Sequence, residues 1–329
     1  MEQYSLSFVI PCYCSQDTVG AVVRELTAAV AAHAPGARYE IILVNDGSPD
    51  GTAGVIRALA ESDPDHIAAV DLARNFGQHA ALMAGLRQVR GDVAVCLDDD
   101  GQTPADEYYK LVEKLDEGYD LVYARYAHKQ HSFFRNWGSR FNAWCDRVVL
   151  SKPKGLSTTS YFACRRFLVD SAVKYENPFP YIGGLMAQGT RRFANVDVHH
   201  RARAQGASGY TLRKLVRLWS NGLTAFSVIP LRIATYLGLA TSAVGFVMAL
   251  VVIIRKLLRP DVPMGWSSLM TVLLVMCGLI MLMLGVLGEY IGRIYMSLNA
   301  LPQYVVRSVT DARAEMPRAG AAPAQEAHA

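Results

Sequence analysis

Two long uncharged stretches near the C-terminus place the strongest constraint on how this chain folds. They run from Ile233 to Ile254 and from Trp266 to Gly288, and neither contains Asp, Glu, Lys or Arg. A helix rises about 1.5 Å per residue, so each stretch can cross about 30 Å of hydrocarbon. The sequence therefore predicts two transmembrane helices joined as a hairpin by the short connection 255–265. The alternative is a pair of buried helices in a soluble core.

Basic residues around these stretches predict the orientation of the hairpin. More basic residues flank the two ends of the hairpin than lie in its connection. Those at the ends are Arg213, Lys214, Arg217, Arg232, Arg293 and Arg307, and those in the connection are Arg255, Lys256 and Arg259. Positive residues favour the cytoplasmic side. The N-terminus enters an apolar segment without a basic region, so we expect no signal peptide. We expect a multi-pass protein of the inner (cytoplasmic) membrane, with its head and both termini cytoplasmic.

The charge balance bears on the partners. A net charge of +4 is too small to indicate nucleic acid, and it suits a protein that lies on an anionic membrane surface.

The first 200 residues have a different pattern, in which short apolar runs alternate with helical stretches. The runs of strand length are Ser7–Ile10, Glu40–Val44, Ala68–Leu72, Asp92–Leu97 and Leu121–Tyr123, and the helical stretches are Thr18–Ala32, Thr52–Glu61, Gln78–Val89 and Pro104–Glu117. This alternation predicts an α/β fold with a Rossmann-like, mostly parallel sheet covered on both faces. Ligands of such sheets bind beyond the carboxyl ends of the strands.

Two further stretches, 134–148 and 212–226, are amphipathic at helical spacing. Each has an aromatic face and basic residues elsewhere, so we expect interfacial helices at the membrane surface. The alternative is an ordinary core-facing helix.

The residues after the fourth apolar run are Asp98, Asp99 and Asp100. Three adjacent carboxylates repel one another, and a hard divalent ion such as Mg²⁺ or Mn²⁺ would compensate their charge. In an extended segment Asp98 and Asp100 point to the same side, so this pair is a candidate metal site. A solvated acidic turn is the alternative.

Two other strand ends have residues suited to a ligand site. Asp46 is placed to accept hydrogen bonds from a ligand, and Gly47 permits a tight turn. Asn75 and Gly77 suit a turn before a helix whose N-terminus can receive an anion. The chain contains neither a Gly-x-Gly-x-x-Gly motif nor a phosphate-loop lysine motif, so we expect a nucleotide site of another kind.

Taken in order, these features resemble glycosyltransferase family two. The motifs are Val9-Ile10-Pro11-Cys12-Tyr13, Asn45-Asp46-Gly47-Ser48, Asn75-x-Gly77-Gln78, Asp98-x-Asp100 and Gly288-Glu289-Tyr290-Ile291-Gly292-Arg293. Within that family the chain resembles the polyprenyl-phosphate glycosyltransferases, such as dolichyl-phosphate mannose synthases and undecaprenyl-phosphate aminoarabinose transferases, from about residue 6 to 307. Each motif alone is common, and their order together with the terminal hairpin is specific.

The resemblance implies a GT-A head that moves a sugar from a nucleotide sugar to polyprenyl (undecaprenyl) phosphate, with Mg²⁺ or Mn²⁺ as cofactor. The nucleotide-sugar-binding residues that it implies are Pro11, Tyr13, Asp46, Gly47, Asn75, Gln78, Asp98 and Asp99. Those implied for the lipid phosphate are Arg125, Arg135, Ser157, Arg203 and Ser208. The implied metal ligands are Asp98 and Asp100, which form the catalytic set together with Arg125 and Arg203. The matching stretch around Arg203 includes His200, Gly206, Ser208 and Tyr210; a membrane-surface role is the alternative for Arg203.

The chain departs from the family pattern at three places. Cys14-Ser15 replaces a common Asn-Glu, for which Gln16 or Asp17 would substitute, and Gly209 replaces a lysine. Many relatives also carry an Asp, often proposed as the catalytic base, where this chain has 156–161. A phosphate monoester has a second pKa of about 6 and is already mostly a dianion at neutral pH. We therefore hypothesise in-line attack with inversion and without a dedicated base.

Rival functions remain at this point. A processive polysaccharide synthase would usually show a Gln-x-x-Arg-Trp motif and more spans. A lipid-sugar transport partner would need a charged path, which these two stretches lack. A catalytically inactive scaffold is consistent with the altered residues at 14, 15 and 156–160.

The expected organisation has four parts. They are a head over 1–208, an interfacial helix over 209–230, a hairpin over 231–292 and a C-terminal segment over 293–329 with a disordered tail from Ala312. Glycines in the second span permit close helix contact and hence homo-oligomers.

Overall fold

The computed structural model describes residues 4–126, 156–178, 180–199, 229–258, 265–298 and 302–313. It divides into two units, of which one comprises Met1–Tyr210 with Ala300–Ala329 and the other comprises Thr211–Asn299. The first unit contains all of the described strands.

The first unit is built on an eight-stranded sheet of order β7-β5-β6-β4-β1-β2-β3-β8. The strands are β1 Leu6–Cys12, β2 Tyr39–Asn45, β3 Ile67–Leu72, β4 Val93–Cys96, β5 Leu121–Tyr126, β6 Phe162–Arg165, β7 Phe193–Val198 and β8 Val306–Thr310. β1 pairs in parallel with β2 and β4, β2 with β3, and β5 with β7. β6 and β8 run antiparallel to their neighbours. The predicted α/β head with a mostly parallel sheet is confirmed.

Helices cover both faces of this sheet. They are α1 Val19–His33, α2 Thr52–Ser62, α3 Gln78–Leu86, α4 Tyr108–Asp116, α5 Arg166–Ala172 and α6 Ile182–Gly189. One core lies between the sheet and α1, α2 and α4, and the other lies between the sheet and α3, α5 and α6. The sequence expectation that strands alternate with helices agrees with this order.

The first strands are nearly continuous apolar runs because both of their faces are buried. Phe8 and Ile10 of β1 pack into the first core, whereas Val9 packs into the second. Successive side chains of a strand point to opposite faces, so a strand buried on both sides is apolar at nearly every position. Ser7 of β1 and Glu40 of β2 are buried polar exceptions, and they are hydrogen-bonded to each other. Gly85 of α3 allows close packing on that second face, because a Cβ there would lie 2.4 Å from a methyl carbon of Val9.

The C-terminal segment 302–313 is part of the head. After β8, the Arg313 guanidinium donates to the Glu40 carboxylate at 2.7 Å, and both side chains are fully buried. Glu40 also accepts hydrogen bonds from the Ser7 hydroxyl and the Arg90 backbone N–H. The predicted disordered tail from Ala312 is therefore wrong for Ala312 and Arg313, because burial of this ion pair holds the chain in place. Residues 314–329 lie outside the described part.

The described residues of the second unit form two helices, α7 Ile229–Leu258 and α8 Trp266–Leu298. Within the described residues, no helix is both long and apolar enough to cross a membrane. The predicted spans 233–254 and 266–288 are therefore not confirmed. The predicted interfacial helices over 134–148 and 212–226 lie outside the described residues.

Candidate active site

Three loops meet at the carboxyl edge of the central strands. Asp99, after β4, accepts a hydrogen bond from the Tyr13 backbone N–H at 3.0 Å through its Oδ2 atom. The Cys14 backbone N–H donates to Ser48 Oγ at 3.1 Å. The loops after β1, β2 and β4 are therefore joined, as expected for parallel strands whose ends form a ligand site.

Asp98 is half-buried and bound by two neutral side chains. Gln78 Nε2 donates to its Oδ1 at 2.8 Å, and Ser160 Oγ donates to its Oδ2 at 2.5 Å. The pKa of Asp98 is raised from 3.8 to about 6, chiefly by burial; the hydrogen bond from Ser160 opposes the rise, the charges of Asp100 and Asp99 add to it, and the hydrogen bond from Gln78 opposes it. Near neutral pH the carboxylate is ionised at an energetic cost, and a cation or a positively charged ligand would reduce that cost.

The other two carboxylates of the cluster shape the loop. Asp100 Oδ1 accepts the Gln102 backbone N–H at 3.0 Å across Gly101, which has a φ of 71°. Burial also raises the pKa of Asp99. The solvated acidic turn considered from the sequence does not describe this cluster, because Asp98 and Asp99 are partly withdrawn from water and bonded to residues of other loops.

Asp46 is a buried residue that holds the loop before α3. Its carboxylate oxygens accept the backbone N–H groups of Phe76 at 2.7 Å and Gly77 at 2.9 Å. Burial raises its pKa, and these two hydrogen bonds oppose that rise. These contacts show that Asp46 shapes the loop beside the site. A direct contact between Asp46 and a ligand stays a prediction.

Gly47 follows Asp46 with a φ of 59° and lies directly against the neighbouring loop. A Cβ at this position would lie 2.2 Å from the Arg74 carbonyl carbon and 2.5 Å from the Asn75 nitrogen. No side chain fits there without moving backbone. The turn expected from the sequence therefore also requires this close approach.

The remaining residues expected to bind the nucleotide sugar differ in exposure. Tyr13 is 51% exposed and leaves its ring available at the edge of the sheet, whereas Pro11 is buried. Asn75 and Gln78 are exposed at the start of α3. Gln16, expected as a substitute for a missing family residue, instead accepts the Gly51 backbone N–H at 2.8 Å.

Arg125 lies near the carboxyl end of β5, and Ser157 lies in the segment that leads into β6. Arg125 forms a two-point ion pair with Asp197 of β7, with Nε–Oδ1 at 2.6 Å and Nη2–Oδ2 at 2.8 Å. Both side chains are about half exposed. The Ser157 backbone N–H donates to Asn195 Oδ1 at 2.9 Å. The predicted lipid-phosphate residues Arg135, Arg203 and Ser208 lie outside the described residues, as do His200, Gly206 and Tyr210.

Sequence reasoning did not single out Ser160, Asp197 or Asn195. The register could have indicated Ser160, because β4 and β6 pair antiparallel with Cys96 opposite Phe162. If this register is continued two residues beyond Cys96 and two residues before Phe162, Asp98 lies opposite Ser160. Arg125 and Asp197 are also register partners, on β5 and β7. These pairings depend on strand neighbours that are distant in sequence.

The carboxylates of this cluster have the chemistry to bind a divalent cation, but too few of them converge on one position to complete its coordination. Oxygen ligands and the raised pKa of Asp98 suit Mg²⁺ or Mn²⁺. Among the described residues, no group of three or more His, Cys, Asp and Glu side chains has the geometry of a metal site. A cation at Asp98 and Asp100 would thus need further ligands from a bound diphosphate or from water.

Comparison with known proteins identifies the family. The model of glycosyl transferase family 2 matches residues 7–175, and the model of the GtrB C-terminal hairpin matches residues 229–294. The chain belongs to glycosyl transferase family 2, and it is a glycosyltransferase whose head has a GT-A-like α/β fold.

Curated relatives match over almost the whole chain. The undecaprenyl-phosphate 4-deoxy-4-formamido-L-arabinose transferase of Yersinia enterocolitica is 37% identical over 93% of this chain and 94% of its own length. The transferase of the same name from Yersinia pestis strain Pestoides F is 36% identical over the same shares.

Solved structures match the chain more distantly. Glucosyl-3-phosphoglycerate synthase from Mycobacterium tuberculosis in complex with UDP has a TM-score of 0.49 and 20% identity, covering 68% of this chain and 78% of its own. Mannosyl-3-phosphoglycerate synthase from Rubrobacter xylanophilus has a TM-score of 0.47 and 22% identity, covering 69% and 74%. At this level of similarity they carry no functional inference.

Proposed function

We propose that this glycosyltransferase moves a sugar from a nucleotide sugar to a polyprenyl phosphate and releases a nucleoside diphosphate. The observation that carries the proposal is 37% identity over 93% of the chain to a transferase named for undecaprenyl phosphate. The lipid product would serve cell-envelope glycan or glycolipid modification. Near-complete coverage of both chains favours an enzyme of the same reaction type over the transport partner or inactive scaffold that the sequence left open.

The donor would bind at the carboxyl edge between the loops after β1, β2 and β4. The exposed Tyr13 ring is available to stack on a base. Asp46 and Gly47 would support this subsite by fixing the loop that contains Asn75. Pro11, Gln78 and Asp99 would complete it, and the hydrogen bond from the Tyr13 backbone to Asp99 supports their common location.

Asp98 and Asp100 would hold Mg²⁺ or Mn²⁺ against the donor diphosphate. The support is the raised pKa of Asp98, which reflects a buried carboxylate close to two further negative charges. When bound, such an ion would screen the diphosphate and stabilise it as a leaving group. Gln78 and Ser160, which donate to Asp98, would fix the direction of its oxygens.

The acceptor phosphate would attack the anomeric carbon directly, with inversion. It is ionised at neutral pH, so the reaction needs positioning and charge screening more than proton removal. The run 156–160, which replaces the family Asp, supports this view. In that run Ser160 donates to Asp98, and Ser157 is held by Asn195.

Arginines would position the lipid phosphate. We assign this role to Arg125, Arg135 and Arg203, with Ser157 and Ser208 beside them. The described Arg125 is paired with Asp197, so a phosphate would have to compete with this carboxylate for the guanidinium. Arginine forms two parallel hydrogen bonds with either group.

The second unit would anchor the enzyme in the inner membrane as a two-span hairpin, with the head and both termini cytoplasmic. The uncharged stretches 233–254 and 266–288 and the match to a hairpin model at 229–294 support this part of the proposal. A membrane anchor would bring the head to a lipid acceptor. The hairpin would also offer a surface for homo-oligomers.

A donor screen tests the proposal. Purified full-length protein is incubated with undecaprenyl phosphate, Mn²⁺ and a panel of UDP-, GDP- and dTDP-sugars that includes 4-deoxy-4-formamido-L-arabinose, and lipid products are detected by mass spectrometry. We expect one donor class to give a sugar-phosphoryl lipid, and we expect Asp98→Ala to give none. Absence of a lipid product from every donor would contradict the proposal.

A further inference from the structure

Strand β8 attaches the C-terminal segment to the outer edge of the sheet and presents Arg307 there. The Ala73 backbone N–H donates to the Val305 carbonyl at 2.8 Å, just before β8 pairs with β3. Arg307 Nη2 donates to the Ala73 carbonyl at 2.8 Å, and its Nη1 lies 3.8 Å from Asp71 Oδ2. One guanidinium therefore contacts both the backbone and a side chain at the end of β3.

Asp71 lies between Arg307 and the second strand. Its side chain is 10% exposed, and its Oδ1 accepts a hydrogen bond from Asn45 Nδ2 at 2.7 Å. A carboxylate in such a place needs a compensating charge and fixed donors to be stable. Arg307 supplies the positive charge on one side, and Asn45 supplies the donor on the other.

Asn45 connects Asp71 to the loop after β2 through hydrogen bonds. With its amide nitrogen held by Asp71, its Oδ1 accepts the Ser48 hydroxyl at 2.6 Å and the Ser48 backbone N–H at 3.2 Å. Ser48 Oγ in turn accepts the Cys14 backbone N–H at 3.1 Å. Cys14 follows Tyr13 and has a φ of 55°, a conformation that a non-glycine residue adopts only when its surroundings hold it.

A second route leads from Arg307 to the same loops through the backbone. The Ala73 carbonyl that Arg307 holds is followed by Arg74 and Asn75, whose backbone lies against Gly47. Both routes end at the loops to which we assign the donor nucleotide, and no residue of the first route belongs to either hydrophobic core.

We propose that Arg307 is a positioning residue for the nucleotide subsite, acting through Asp71, Asn45 and Ser48 on the loop that contains Tyr13 and Cys14. This inference rests on the proposed nucleotide-sugar donor. The competing explanation is that Arg307 only fastens β8 to the edge of the sheet. The two explanations differ in what happens at Cys14 and Ser48 when Arg307 is replaced.

Hydrogen exchange of the full-length protein, followed by mass spectrometry, separates them without any ligand. We expect Arg307→Gln to speed exchange in the peptides that contain Cys14 and Ser48 about fivefold, which corresponds to about 1 kcal/mol. Arg307→Lys keeps the charge beside Asp71 and should restore most of the protection. Asp71→Asn combined with Arg307→Gln should be no worse than Arg307→Gln alone, because the two residues act in one chain of contacts.

Gln303→Ala provides the matched control. Gln303 attaches the same C-terminal segment by donating to the carbonyls of Tyr175 and Asn177, and it has no part in the route to Asn45. This variant should loosen the segment and leave exchange at Cys14 and Ser48 unchanged. If Arg307→Gln speeds exchange in β8 but leaves those two peptides at the parent rate, the positioning role is refuted.

Nucleotide binding gives the second readout, with UDP, GDP and dTDP as probes in the presence of Mn²⁺. For the diphosphate that binds the parent, Arg307→Gln should weaken the Kd about fivefold, equal to about 1 kcal/mol. The donor KM should rise in proportion while kcat stays within about twofold, because the residue shapes binding and not the reacting atoms. If the parent protein binds none of the three nucleotides, the proposed nucleotide-sugar donor is contradicted. The hydrogen-exchange result decides the role of Arg307 whether or not a nucleotide binds.

Discussion

Replacing Asp98 by Asn should make the cation-free enzyme more stable while removing its activity. The pKa of Asp98 rises from 3.8 to about 6 in the folded protein. A rise in pKa of this size makes the ionised form of Asp98 less favourable in the folded protein by about 3 kcal/mol at neutral pH. Partial exposure of the side chain reduces this figure, and we expect a gain of about 1–3 kcal/mol from the substitution.

The hydrogen bonds of Asp98 allow this exchange of carboxylate for amide. The Asn oxygen can accept from Gln78 Nε2, and its amide nitrogen can donate to Ser160 Oγ, so both partners stay satisfied. For a domain of about 150–250 residues, each 1 kcal/mol changes Tm by about 2–4 °C. The variant should therefore melt several degrees above the parent.

The pH dependence follows from the direction of the shift. Folded Asp98 holds its proton more tightly than the unfolded chain does, so between about pH 4 and pH 6 the folded state binds more protons. The free energy of unfolding of the parent falls as pH rises through that window. The advantage of Asp98→Asn should thus be complete above about pH 6 and vanish below about pH 4, where Asp98 is protonated in both states.

Thermal unfolding in EDTA can be followed with a thiol-reactive dye, because Cys12, Cys96 and Cys164 are buried in the head and become reactive when it unfolds. Asp116→Asn, which changes an exposed carboxylate, serves as the control and should leave Tm unchanged. A Tm for Asp98→Asn at or below the parent value at pH 7.5 would refute the argument that Asp98 is ionised at an energetic cost.

Three further predictions concern other parts of the head. Gly47→Ala should lower the free energy of unfolding, measured by urea titration, by at least about 2 kcal/mol, because the new Cβ would meet the backbone of Arg74. Gly36 also has a positive φ but has open space around it, so Gly36→Ala should lower the free energy of unfolding by about 1 kcal/mol or less. Glu40→Gln should destabilise the protein by about 1–3 kcal/mol, since it weakens the buried hydrogen bonds of Glu40 with Arg313, Ser7 and the Arg90 backbone, while Arg313 keeps its ion pair with Asp311. The surface variant Glu117→Gln should change the urea midpoint little, and equal midpoints for both variants would count against the buried pair. Asp197→Asn should lower the KM for undecaprenyl phosphate severalfold, because it frees Arg125; an unchanged KM would remove Arg125 from the acceptor site.

The sequence predicted the centre of the sheet well because the central strands are buried on both faces. Such strands are nearly continuous apolar runs, and Phe8–Ile10 and Ile41–Val44 show this pattern directly. It did not predict β6, β7 or β8. β6 is four residues long, and β8 alternates exposed and partly buried side chains and pairs with a strand far away in sequence. Neither carries a local signal strong enough to stand out.

The candidate site was predicted in composition but not in contacts. The cluster Asp98–Asp100 and the turn at Gly47 follow from local sequence, and the structure places them at the expected edge. Three contacts depend on which strands become neighbours. They are the hydrogen bonds of Asp46 with backbone amides, the hydrogen bond from Ser160 to Asp98 and the ion pair of Arg125 with Asp197. The order of strands is a property of the whole chain, so no short motif reveals it.

The central claim is that the acceptor is a lipid phosphate that attacks without a protein base. The most direct measurement gives the purified enzyme its donor, Mn²⁺ and either undecaprenyl phosphate or undecaprenol, and follows sugar transfer to the lipid. Our account predicts a sugar-phosphoryl lipid of inverted anomeric configuration from the phosphate and no product from the alcohol. Transfer to undecaprenol, or retention of configuration in the phosphate product, would contradict it.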